Sequence, residues 1–141
     1  MEKNGENQVA ESLLARRIAR ASKGLNFVSE NDAPVVPSFA EQPGESVRRA
    51  VKKAAGDPPE ELIEETDAKR FFDRLTRDRA WYNASQKKNA AGFKRLQKLL
   101  EEELSDLKVF RIGNVKLKIY IVDVDPDGNL AGVLTEAIET S

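Results

Sequence analysis

The sequence contains no cysteine and no histidine. Without cysteine the chain has no disulfide and no thiolate nucleophile, and without histidine it has no imidazole to act as a general base. The same two absences exclude a zinc site built from nitrogen and sulfur ligands. We therefore expect that the protein is not an enzyme, that it has no catalytic residue, and that it holds no cofactor or metal ion of its own.

Long apolar runs are also missing. No stretch of about 18 consecutive apolar residues, the length that a membrane-spanning helix requires, is present. The first residues, MEKNGENQVAESL, lack the apolar segment of a signal peptide. The formal net charge of −1 argues against a nucleic-acid binder that depends on global electrostatics. We expect one domain over residues 1–141, with residues 1–7 frayed, and no membrane or direct nucleic-acid partner.

Residues 109–140 predict a three-stranded antiparallel meander. Two β-branched, apolar runs, VFRI and VKLKIYIV, flank the GN dipeptide at 113–114, which tolerates the positive φ of a two-residue hairpin loop. A second turn is expected at DPDG, residues 125–128, where proline fixes φ and glycine enters the left-handed region. The last run, 130–140, remains open between a third strand and a helix, because its apolar residues also fit one helical face.

Elsewhere the apolar spacing predicts four helices and one edge strand. The helices are expected from Val9 to a glycine cap at Gly24, over 47–54, over 66–75 with Thr66 as its cap, and over 86–107. The buried stripe of the longest helix is Phe93, Leu96, Leu100, Leu104 and Leu107. An edge strand is expected within 33–40, because its two prolines lack the N–H that a sheet ladder needs. Residues 60–65 remain open between a strand and a helix start.

Two charged segments have more than one interpretation. Residues 123–128 (DVDPDG) match the first positions of a calcium-binding loop, but Leu134 stands where the bidentate glutamate belongs, so a solvated turn is favoured. The outer face of the second helix is basic and consists of Arg48, Arg49, Lys52 and Lys53. We interpret it as a solvated helix face. The alternative is a weak phosphate- or nucleic-acid-binding patch, which lacks the interleaved aromatic residues that stack on bases.

Trp81 and Glu30 fall in predicted polar loops. Leaving a tryptophan in water is costly, so Trp81 either packs into a satellite core or anchors a partner. On local evidence Glu30 is a loop carboxylate that caps a nearby turn. These residues alone indicate no site for a small molecule.

Several stretches, taken together in their order and spacing, resemble the nuclease A inhibitor family. They are ASKGLNFVSE (21–30), FFDRLT (71–76), AWY (80–82), FKRLQKLL (93–100), VFRIGNVKLKIYIV (109–122), GNLAG (128–132) and IET (138–140). The likeness covers most of the chain except residues 33–66. It implies an α/β (α+β) fold, a three-layer α/β/α sandwich with a mainly antiparallel sheet, in which the last segment is a strand.

The resemblance also implies a function. The family's characterised members are cytoplasmic protein inhibitors that bind across the active site of a metal-dependent DNA/RNA non-specific endonuclease and block substrate entry. The family's carboxylate that approaches the nuclease's magnesium ion falls at Glu30, the threonine whose hydroxyl reaches the same site falls at Thr140, and the tryptophan that enters the cleft falls at Trp81. The alternative is a protein-binding module of the same fold that inhibits no nuclease.

Overall fold

The computed structural model of the protein describes residues 12–41 and 46–140. The predicted helix start at Val9 and the expected fraying of residues 1–7 lie outside the described residues. The helices are α1 (Leu13–Ser22), α2 (Val47–Ala54), α3 (Ala68–Leu75) and α4 (Ala84–Glu103), with a short 3-10 helix at Glu60–Leu62. None of the described helices is long and apolar enough to cross a membrane.

The strands form two antiparallel sheets. They are β1 (Asn26–Val28), β2 (Asp32–Pro34), β3 (Val36–Ala40), β4 (Ile63–Thr66), β5 (Lys108–Gly113), β6 (Lys116–Val124) and β7 (Leu130–Ile138). β1 pairs with β2, and the other five strands form one sheet in the order β3-β7-β6-β5-β4, with every neighbouring pair antiparallel. The predicted meander is confirmed, and its last segment is an interior strand.

Apolar side chains cover both faces of the five-stranded sheet. Along β6, Leu117, Ile119 and Ile121 belong to one buried cluster, which also contains side chains of α1, α3 and α4. Tyr120 and Val122 belong to a second cluster, which contains side chains of α2. Because successive side chains of a strand point to opposite faces, the two clusters lie on opposite sides of the sheet. The predicted α+β class is confirmed, and this distribution of the core is the one that a three-layer sandwich requires.

Polar residues set the ends of the shorter helices. α1 begins after Ser12, whose hydroxyl oxygen accepts a hydrogen bond from the N–H of Ala15 at 3.1 Å, and Gly24 follows its end with φ +81°. The predicted cap of α3 is wrong by one residue. Asp67 accepts the hydrogen bond from the N–H of Arg70 at 2.9 Å, because the residue before it is still in β4 and pairs with β5. The open segment 60–65 contains the 3-10 helix and most of β4.

The longest helix starts and ends earlier than its apolar stripe predicts. A reciprocal capping box fixes its start: the N–H of Gln86 donates to the side chain of Asn83 and the N–H of Asn83 donates to the side chain of Gln86, both at 2.8 Å. The helix stops before Leu104, which has extended φ and ψ of −125° and 124°. Leu104 is nevertheless only 2% exposed. The connection after the helix also buries leucine, so the apolar pattern continues past the end of the helix. For this reason the predicted helix ran on to Leu107.

The hairpin between β5 and β6 differs in detail from the prediction. Gly113 belongs to β5 and pairs with Leu117, and β6 begins at Lys116, so the two residues between the strands are Asn114 and Val115 rather than Gly113 and Asn114. The φ of Gly113 is +122°, and a Cβ there would lie 2.3 Å from the carbonyl oxygen of Lys116. The glycine is required by this close backbone approach.

Of residues 123–128, Asp123 and Val124 end β6 and residues 125–128 form a hydrogen-bonded turn, as the favoured interpretation predicts. The N–H of Gly128 donates to the carbonyl of Asp125 at 2.9 Å, and the φ of Gly128 is +83°. The buried Asp123 carboxylate accepts a hydrogen bond from the N–H of Asp106 at 2.7 Å. This carboxylate is therefore occupied by hydrogen bonds from backbone N–H groups. Among the described residues no group of three acidic side chains is arranged to hold a metal ion.

The predicted edge strand at 33–40 is divided in two. Ala33 and Pro34 end β2, the buried Val35 follows, and β3 continues at the edge of the large sheet. Pro37 lies in β3, so the edge position expected from the prolines is confirmed for that strand.

Candidate functional site

The β1–β2 hairpin presents Glu30 in its loop. Ser29 organises this loop, because its hydroxyl donates to the carbonyl of Asn31 at 2.8 Å and accepts from the N–H of Asn31 at 3.3 Å. A short polar side chain that bonds neighbouring backbone groups favours a tight turn. Glu30 is exposed, so its carboxylate lies at the surface of an organised loop.

The hairpin is fixed at its tip and at its base. At the tip, the N–H of Glu30 donates to the carbonyl of Ile138 at 3.2 Å, and the N–H of Ile138 donates to the hydroxyl oxygen of Ser29 at 3.0 Å. At the base, the side-chain amide of Asn89 in α4 accepts from the N–H of Asn26 at 3.0 Å and donates to its carbonyl at 2.9 Å. These bonds hold the loop against both β7 and α4.

Thr140 holds the carboxylate of Glu30. The N–H and the hydroxyl of Thr140 both donate to one oxygen, Oε2, each at 2.7 Å. Hydrogen bonds to an ionised carboxylate are short and strong. Because the backbone bond and then the hydroxyl bond favour the ionised form, the pKa of Glu30 is lowered from its ordinary value. Among the described residues none donates to the second oxygen, Oε1, so that oxygen is available to a partner.

The lowered pKa gives the contact a defined pH dependence. Its stabilisation is fully present above the ordinary pKa of 4.5 and is lost as the pH falls through the lower folded value. We expect the amide resonance of Thr140 to shift in an NMR titration with a midpoint below pH 4.5, because the pKa of Glu30 is lowered. Glu30→Gln should abolish this shift. A midpoint at or above 4.5 in the wild-type protein would contradict the contact.

The residue before Thr140 is fixed as well. The N–H of Glu139 donates to the carbonyl of Val115 at 2.9 Å. Its carboxylate pairs with Arg111 of β5. The Arg111 side chain is 18% exposed and also lies 3.9 Å from Glu64. The segment that carries Thr140 is therefore held by the sheet as well as by the hairpin.

A groove of about 420 Å³ opens beside Glu30. The hairpin, α3 and the end of β7 supply its walls. Phe27 and Phe71, which line it, stack with their ring centroids 5.8 Å apart. Arg74 and Glu139 add charges of opposite sign. The surface next to the carboxylate is thus concave and partly apolar.

Trp81 lies in the loop between α3 and α4 and is 70% exposed. Its ring meets that of Tyr82 edge to face, with centroids 4.8 Å apart. The packing interpretation is therefore wrong, and the partner-anchor interpretation stays a prediction. The end of α3 lines the groove beside Glu30, and the first turns of α4 hold the base of the hairpin, so the loop lies at the same end of the sheet. Among the described residues no hydrogen bond or ring contact joins Trp81 to Glu30 or Thr140.

The basic face of α2 lies on the other side of the sheet from this groove. Arg48 and Lys52 pair with Glu60, at 3.0 and 3.4 Å. The hydrogen bond from Arg48 is the main cause that lowers the pKa of the Glu60 carboxyl. These ion pairs favour the solvated-face interpretation over a phosphate-binding patch.

The sequence indicates Glu30, Thr140 and Trp81 but not the residues that position them. Ser29 has a weak signal, a short polar side chain in a turn. Asn89 reaches Asn26 across 63 positions of the chain, and Arg111 reaches Glu139 across 28. No local pattern reveals contacts of that span.

The fold and this end of the molecule define a small α+β protein whose surface carries a fixed carboxylate, a groove beside it and an exposed indole. The model of the nuclease A inhibitor-like protein family matches residues 12–140, and the chain belongs to that family. The resemblance seen in the sequence is confirmed. Family membership indicates a role as a nuclease inhibitor rather than as an enzyme. A comparison with curated proteins found no match.

Proposed function

We propose that the protein binds and occludes the active site of a metal-dependent DNA/RNA non-specific endonuclease. The observation that carries the proposal is the state of Glu30. Its carboxylate is exposed, has a lowered pKa, and is held through one oxygen while the other oxygen is available. It occurs in a chain of the nuclease A inhibitor-like family.

A carboxylate suits this role chemically. The active site of such a nuclease contains a hard metal ion and basic side chains placed to receive a phosphate. Glu30 supplies a negative charge and an oxygen ligand but contains no bond that the nuclease can cleave. Because Ser29, Asn89 and Thr140 already fix the loop, little conformational freedom is lost when it binds.

Thr140 and Trp81 complete the proposed surface. Thr140 positions the Glu30 carboxylate, and the hydroxyl of Thr140 lies beside that carboxylate. Trp81 supplies an exposed aromatic anchor, a residue type that contributes strongly to interfaces. Inhibition is occupancy of the nuclease's site, so it needs no catalytic residue, cofactor or metal ion from this chain. We propose the cytoplasm as the compartment in which it acts.

The test is to titrate the purified protein into a metal-dependent non-specific endonuclease while the digestion of DNA and of RNA is followed. We expect both digestions to stop at near-stoichiometric amounts, because one protein occludes one active site. A doubled magnesium concentration should leave the inhibition unchanged, which separates occlusion from removal of the metal. If neither digestion slows, the proposed function fails and the non-inhibitory binding module takes its place.

A further inference from the structure

The loop between α3 and α4 and the first turns of α4 are basic, and we call this segment, residues 77–88, the Trp81 loop. From Arg77 to Lys88 the chain has four cationic side chains and one anionic side chain, Asp78. Asp78 is already bound by Lys87, at 2.9 Å. The other three cations, Arg77, Arg79 and Lys88, form no ion pair with any residue that the structure describes. The loop therefore carries positive charge that its own surroundings leave uncompensated.

Trp81 lies in the middle of these charges. It is 70% exposed, and the residue before it is the exposed Ala80, so no carboxylate adjoins the indole in sequence. Tryptophan and arginine are the residue types most enriched where binding energy concentrates in interfaces. The loop has the composition of a contact surface with a preference for negative charge.

This loop shares one end of the molecule with Glu30. Arg74, in the last turn of α3, lines the groove beside Glu30, and Asn89 of α4 bonds to the strand that leads to it. The contact surface therefore presents negative charge at the hairpin and positive charge at the loop. A partner that covers both must have the opposite arrangement.

We infer that the nuclease bound by this protein has an acidic surface opposite the Trp81 loop, next to the metal site that Glu30 enters. The inference rests on the proposed function and adds the sign of the charge on the nuclease surface around its active site, which we call the rim. A uniformly basic rim would repel the three cations, and like charges across an interface oppose binding. Complementary charges accelerate association and fix the orientation of the two proteins.

Single-stranded nucleic acid is the other ligand that an exposed tryptophan and nearby cations can bind, through base stacking and phosphate contacts. Acidic residues oppose it here. Five carboxylates and three arginines line the groove beside Glu30 and its continuation: Glu30, Glu64, Glu65, Asp67 and Glu139 against Arg70, Arg74 and Arg111. A phosphate backbone that follows this surface meets more negative than positive charge, so the observations favour a protein surface.

The test compares two charge-reversal variants that change the net charge equally. The loop variant is Arg77→Glu, Arg79→Glu, Lys88→Glu, and the matched variant is Arg16→Glu, Lys94→Glu, Lys98→Glu, at exposed positions of α1 and α4. Association with a nuclease that the wild-type protein inhibits is measured by stopped flow at about 20 and about 200 mM NaCl. At low salt we expect the association rate constant of the loop variant to be at least about tenfold lower than that of wild type. The rate constant of the matched variant should stay within about twofold of wild type.

Melting curves show whether each variant is folded, and a glutamine version of the loop variant should give an intermediate rate. Unchanged or faster association of the folded loop variant overturns the inference and leaves the proposed function intact. Low-salt binding of a fluorescent oligothymidine by the wild-type protein, lost in the loop variant, also overturns it and assigns the surface to nucleic acid. If the wild-type protein inhibits no nuclease, the proposed function fails and the inference fails with it.

Discussion

Replacing Glu30 with glutamine is expected to weaken inhibition of the nuclease by about thirty-fold or more, the lower range for removing one partner of a buried charged contact. Glutamine has nearly the same shape, and its carbonyl oxygen still accepts hydrogen bonds from Thr140. The loop also keeps its bonds through Ser29 and Ile138. What disappears is the negative charge that, in the proposed complex, faces the metal ion of the nuclease. The inhibition constant, obtained from steady-state digestion rates, measures the loss.

Glu102→Gln provides the matched control. Glu102 is an exposed residue in the last turn of α4. It lies about 20 Å along the helix from Asn89, which holds the base of the hairpin. The same loss of charge there should leave the inhibition constant unchanged within about twofold, since exposed charges at that distance are screened. A folded Glu30→Gln variant that inhibits as well as wild type would remove Glu30 from the mechanism.

The turns of the sheet were predictable because their chemistry is local. Pro126 fixes its own φ and Gly128 adopts a positive φ without strain, and the structure has the turn that they predict. Gly113 correctly marked a hairpin, although the glycine is needed at the end of β5, where the backbone of Lys116 approaches it closely, rather than inside the loop. Local residue preferences thus located each connection, while the register of the strands decided which residues form it.

The last strand could not be assigned from its own pattern. Leu130, Leu134 and Ile138 recur at helical spacing, and Val133 and Ala137 fit the same face. A strand with solvent on one face would alternate between apolar and polar residues. β7 is covered on both faces, so apolar residues occupy successive positions and the alternation is lost. Its pairing with β6 and β3, which lie elsewhere in the chain, determines the conformation.

The candidate site was predictable only in part for a similar reason. The family resemblance indicated Glu30 and Thr140, and the structure joins them directly. The contact spans 110 positions of the chain, and no local preference specifies a contact of that span. The sheet brings the two residues together because β7 ends beside the hairpin.

The second substitution with a large expected effect is at Gly132, in the interior strand β7. Its φ is +154°, and a Cβ there would lie 2.1 Å from the carbonyl oxygen of Ile121 and 2.9 Å from the Cα of Val122. Both are backbone atoms of β6, which is paired on both sides and cannot shift without disturbing the sheet. Gly132→Ala should lower the free energy of unfolding by about 3 kcal/mol or more, from backbone strain and overpacking together. Urea denaturation measures the change.

Gly24→Ala separates the two contributions. Gly24 also has a positive φ, +81°, but no atom lies within 4 Å of a Cβ placed there. Alanine at that position adds backbone strain alone, about 1–2 kcal/mol. The difference between the two variants therefore measures the close approach of β6 to Gly132. Equal losses of unfolding free energy would contradict the expected role of Gly132, because backbone conformation alone would then explain the requirement for glycine.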